Sequence, residues 1–118
     1  MKTTVMNLSA LALAVSLLAM ADPAAAAPIK ECGNAKFGAS GPQFTFREIS
    51  GAGIYNITTR VASCGEARRV INSWWSRDGV LPAPIRGFQC RHLDQADEYV
   101  DVRCTASRGR VVRWQAGA

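Results

Sequence analysis

Four cysteines, Cys32, Cys64, Cys90 and Cys104, constrain this 118-residue chain more than any other feature. An all-cysteine zinc site would need four widely scattered ligands. No Cys-x-x-Cys pair occurs, and His92 is the single histidine. An even number of cysteines in a short exported chain reads instead as two disulfides. The first residues supply the compartment. Lys2 gives a basic start, the run from Val5 to Met20 is apolar apart from Asn7, Ser9 and Ser16, and small residues crowd positions 19–27. This is the pattern of a secretory signal peptide over residues 1–26, with cleavage after Ala21 or after Ala26 both fitting. The rival is an uncleaved N-terminal anchor, but few basic residues follow the apolar run to hold it. Ile29–Lys30–Glu31 is not a lipoprotein box, so Cys32 does not read as a lipid anchor.

Residues 27–118 are then one domain, too small to bury a large core and helped by staples. Each disulfide contributes roughly 2–4 kcal/mol, mainly by restricting the unfolded chain. The formal net charge is +5. Residues 27–42, rich in Gly, Ala and Pro, read as an irregular N-terminal arm tied down by Cys32. Residues 43–118 read as a single disulfide-stabilised α+β domain. Phe44–Ile49 suggests a short strand with Phe44 and Phe46 on one face. In Ile54–Ala62, Tyr55, Ile57, Thr59 and Val61 alternate with Asn56, Thr58 and Arg60, which predicts a strand.

Ser63–Cys64–Gly65–Glu66 fits a capping box. The helix it opens is expected to run to about Arg77, with Cys64, Ala67, Val70, Ile71, Trp74 and Trp75 on its apolar side and Gly79 at the left-handed stop. Pro82 and Pro84 make 80–87 an extended loop. Phe88–Leu93 and Tyr99–Thr105 predict a hairpin around the polar turn 94–98. Arg110–Trp114 predicts a last strand after a turn at Ser107–Gly109. The expected architecture is one amphipathic helix packed on a small antiparallel sheet that ends in a three-stranded meander.

Four cysteines allow three pairings. A hairpin turning at Asp97 sets Cys90 opposite Cys104, which favours that bridge and leaves Cys32 to Cys64. The rival joins Cys64 to a sheet cysteine and fastens helix to sheet.

Several stretches also carry a resemblance. They are Val61–Ala–Ser–Cys64–Gly–Glu–Ala67–Arg68, Gly87–Phe88–Gln–Cys90, Val102–Arg–Cys104 and Val111–Val–Arg–Trp114. Over roughly residues 57–114 the chain resembles small secreted four-cysteine proteins of actinobacterial type. The resemblance implies a fold and an exported protein, and it brings no catalytic residue.

No catalytic constellation emerges. His92, with Asp94 or Asp97 as orienter, reads as a strand residue near a hairpin end rather than a general base. Asp94, Asp97, Glu98 and Asp101 read as a solvated turn rather than a glycosidase pair or a calcium loop. The sequon Asn56–Ile57–Thr58 reads as a chance match in a bacterial chain. Arg103, Arg108, Arg110 and Arg113 concentrate in the final hairpin beside Trp114 and are the candidate anion-binding set. The bland alternative is that they keep a small domain soluble and protect a sheet edge. Leu81, Pro82, Pro84 and Arg86 form a candidate protein-contact loop, of a kind that would suit a secreted protease inhibitor. The expected protein is a secreted, monomeric, non-enzymatic binding or structural module without metal or cofactor. Its expected partner is an anionic cell-envelope polymer or an extracellular protein.

Overall fold

A computed structural model describes residues 27–78, 80–95 and 99–117, with backbone only at Asp94 and Gln95. The predicted leader at 1–26, the Gly79 stop and the hairpin tip with Asp97 and Glu98 lie outside the described residues. Seven strands form one antiparallel sheet: β1 (Ile29–Gly38), β2 (Gly41–Thr45), β3 (Gly53–Arg60), β4 (Ala83–Ile85), β5 (Phe88–Gln95), β6 (Tyr99–Ala106) and β7 (Arg110–Gly117). Their order across the sheet is β2-β1-β3-β7-β6-β5-β4. The sheet curls into an open half-barrel. The helix α1 (Cys64–Ser76) touches β1 and β3 and both edge strands, β2 and β4.

This corrects the expected α+β architecture of a helix on a small sheet. The sheet dominates, and the three-stranded meander is only part of it. Two misread segments account for the difference. The supposedly irregular arm carries β1 and the start of β2, and the proline loop carries β4. Pro42 and Pro84 fall in the edge strands β2 and β4, where one side of the ladder is unpaired and a missing N–H costs no bond.

Local signals at α1 behave as their chemistry dictates. The Ser63 hydroxyl accepts from the Glu66 amide at 3.0 Å, and the Ser63 amide donates to Glu66 Oε1 at 3.2 Å. Ala67, Val70, Ile71 and Trp74 are buried against the concave face. Trp74 meets Trp114 edge-on, with ring centroids 5.6 Å apart. Trp75, expected in the core, is 37% exposed and lies against Phe37 near the β1–β2 edge.

The alternation expected in β3 breaks at Asn56. A register shift falls between Tyr55 and Thr58, and Asn56 takes φ 53°. Such a bulge inserts one residue and shifts the side-chain phase, so Ile54 and Ile57 are both buried. The strand expected at 44–49 ends at Thr45, leaving Phe46 outside it and 72% exposed.

Both disulfides have the favoured pairing. Cys32–Cys64 ties β1 to the start of α1, with Cα atoms 5.4 Å apart. Cys90–Cys104 joins directly opposed residues of β5 and β6, with Cα atoms 4.0 Å apart. Each bridge stays on one side of the β3–β7 pairing, which joins the N-terminal half of the sheet to the C-terminal half.

Candidate anion-binding face

With α1 inside the curl, the convex face carries the residues that alternate away from the core. On β5 to β7 these include Arg91, Arg103 and Arg113, because Cys90, Val102, Cys104, Val112 and Trp114 point inward. The register sets Arg91 opposite Arg103, Arg103 opposite Arg113, Arg113 opposite Thr58, and Thr58 opposite Glu31. One row across five strands therefore runs from three guanidinium groups, past a hydroxyl, to a carboxylate. At the usual spacing between strands, the three arginine Cα atoms span roughly 10 Å.

The groups in this row are unequally occupied. Arg113 Nη2 donates to Asp101 Oδ2 at 3.1 Å, with the Asp101 side chain 15% exposed. The Arg103 Nε is buried and has no hydrogen-bond partner among the described residues. Arg91 is exposed. Arg60, on β3, lines the same groove as Arg103 and Arg113, together with Ile29, Thr58 and Val111, around a volume of about 300 Å³.

The predicted set of four arginines therefore does not assemble. Arg103 and Arg113 share the convex face. Arg110 lies two residues from the inward Val112 and is turned the other way. Its Nη1 bonds Glu66 Oε2 at 2.9 Å, its Nε donates to the Ser107 carbonyl, and its guanidinium sits 5.2 Å from the Phe88 ring centroid. Arg108 occupies the turn before β7 with φ 65°. Arg91 is the member that sequence reasoning missed. The hairpin register that opposes Cys90 and Cys104 also opposes their neighbours Arg91 and Arg103, so the signal was present. Arg60 had no such signal, because it reaches the groove through the non-local β3–β7 pairing.

The proline segment is bound into the fold. Ile85 is fully buried, Leu81 packs on the core, and Arg77 Nη1 donates to the Pro84 carbonyl at 3.0 Å. Pro82, Pro84 and Arg86 are exposed. His92 is an exposed strand residue opposite Val102. Among the described residues no cluster of three His, Cys, Asp or Glu side chains is placed to hold a metal. Among the same residues no helix is long and apolar enough to cross a membrane. No family model matches the chain, and no curated protein and no solved structure matches it either.

Proposed function

We propose that this is a secreted, non-enzymatic module that binds an anionic polymer of the cell envelope or extracellular space through the convex sheet face. The observation that carries the reading is the direct opposition of Arg91, Arg103 and Arg113 on adjacent strands. Like charges directly opposed destabilise a sheet. Such a row is compensated when a polyanion lies across it and shares its charges among them. Two disulfides and a leader-like N-terminus support an oxidising, exported setting for that encounter.

The test compares two charge-matched variants. One carries Arg91→Gln, Arg103→Gln and Arg113→Gln. The other carries Lys30→Gln, Lys36→Gln and Arg108→Gln, which removes the same charge away from the row. The probes are polygalacturonate and polyphosphate at low salt. The first variant is expected to lose binding to these polymers by tenfold or more, on the order of one good charge-assisted contact, while the second stays near the parent. Equal losses in both variants would reduce the effect to net charge and overturn the reading.

A further inference from the structure

The arginine row does not end in bare sheet. Next to it, where β1 and β3 both bulge, the convex face opens into a cleft of about 380 Å³ lined by Glu31, Gly33, Asn34, Phe46, Asn56 and Thr58, with Ile57 also contributing. The register of β1 slips on both sides of Gly33, whose φ is 86°. A Cβ there would stand 2.4 Å from the Thr45 carbonyl oxygen, so only glycine lets β1 approach the end of β2 this closely. Across the cleft, the bulge at Asn56 turns its side chain along the surface.

The amides in this cleft are held in place. Asn34 Oδ1 accepts from the Asn56 backbone N–H at 3.0 Å, and Asn34 Nδ2 donates to the Arg47 carbonyl at 3.0 Å. Asn56 Nδ2 donates to Gln115 Oε1 at 2.9 Å. Among the described residues, these bonds leave Asn56 Oδ1, Gln115 Nε2 and the Glu31 carboxylate without a hydrogen-bond partner. Phe46, 72% exposed, forms an apolar wall beside them.

An exposed aromatic ring beside fixed amides and a carboxylate matches the surface of a sugar. The ring's electron-rich face accepts the polarised C–H groups of one sugar face. Hydroxyls both donate and accept, so they suit a set that offers amide N–H, amide oxygen and carboxylate oxygen together. The cleft volume lies within the range of small-ligand sites. It is also continuous with the arginine row. An adjoining cleft shares Asn56 and Thr58 with it and reaches Asp101, Arg113 and Gln115, and Arg113 in turn lines the groove with Arg103.

We propose that the polymer is an acidic polysaccharide, with one sugar ring seated between Phe46 and the Asn34–Asn56 amides and the acid groups of the following units on Arg113 and Arg103. This rests on the anion-binding reading and narrows it. The row has a direction: carboxylates of the ligand belong at its β5–β7 end, and hydroxyls belong beside Glu31 at its β1 end. A bare phosphate chain would satisfy the arginines and leave the cleft unused. A neutral glucan would do the reverse.

Titration of the disulfide-intact protein with polygalacturonate, polyphosphate of matched charge and dextran tests this. Polygalacturonate is expected to bind more tightly than either of the others. Phe46→Ala, at an exposed position outside any strand, is expected to weaken polygalacturonate by about tenfold, the scale of one aromatic contact, and to leave polyphosphate unchanged. Equal binding of the two polyanions, with no effect of Phe46→Ala, would overturn the sugar assignment and leave the arginine row standing. Dextran binding as tight as polygalacturonate would overturn the acidic assignment. Failure of both polyanions to bind would overturn the anion reading itself.

Discussion

Arg103 stands directly opposite Arg113 across the β6–β7 ladder, with Arg91 directly opposite Arg103 on its other side. Arg103 thus has a like charge on both flanks and, among the described residues, a buried Nε without a hydrogen-bond partner. Among the described residues, Asp101, bonded to Arg113, offsets this locally. The arrangement trades some fold stability for a concentrated positive field on an exposed face.

Relieving one flank should therefore stabilise the unbound protein. Arg91→Thr keeps a residue suited to a strand and removes one opposed charge, for an expected gain of about 0.2–1 kcal/mol. Thermal melts at low and high salt check it. The gain should shrink at high ionic strength, because the repulsion it removes is screened. A destabilised variant, or a gain indifferent to salt, would contradict the electrostatic account.

Asp101 competes with an external anion for Arg113, to which it is bonded at 3.1 Å. Asp101→Asn should cost at most about 1 kcal/mol of stability, since the arginine side of the pair is 47% exposed. The same change should tighten polyanion binding, because Arg113 is released and an acid is removed from the face. Weaker binding in this variant would place the ligand elsewhere.

Glu66 performs two tasks with its two oxygens: Oε1 accepts from the Ser63 amide and Oε2 meets Arg110. Glu66→Gln keeps an acceptor for the cap and gives up the ion pair, whereas Glu66→Ala loses both. Chemical denaturation should rank the costs as Ala above Gln, with Ser63→Ala near 1 kcal/mol, the usual worth of an N-cap. A Gln variant as damaged as the Ala variant would show that the ion pair, rather than the cap, carries the effect.

The two bridges differ in the length of chain they close, spanning 32 residues for Cys32–Cys64 and 14 for Cys90–Cys104. On the loop-entropy account, replacing the longer pair with alanines should cost about 0.7 kcal/mol more than replacing the shorter. Equilibrium unfolding of the two double variants measures the difference. The opposite order would mean that lost native packing outweighs loop entropy.

Legibility from sequence followed locality. The capping box, the apolar stripe of α1 and the β5–β6 register depend on residues close in the chain, and they led to the correct helix and disulfides. The same register implies the Arg91–Arg103 opposition, although clustering along the chain points only to the arginines of the last hairpin. Gly33 and Pro42 hid β1 and β2, since a bulge and an edge position tolerate residues that argue against a strand. Asn56 inverted the phase of β3. The cleft beside Phe46 could not be read at all: Asn34, Asn56 and Gln115 meet only through strand pairing, the last two 59 positions apart in the sequence.

No covalent bond other than the backbone crosses the β3–β7 pairing, since each disulfide closes within one half of the sheet. A single cut between Arg77 and Asp78 would thus yield two separate molecules, each carrying its own bridge. Reassociation of the two would have to rebuild β3–β7, the Asn56–Gln115 contact and the Glu66–Arg110 pair at once. Thr58 and Asn56 lie on one fragment and Arg113 and Arg103 on the other. Neither fragment alone contains the full groove, so recovery on mixing of a preference for polygalacturonate over polyphosphate would report on the joining of the halves.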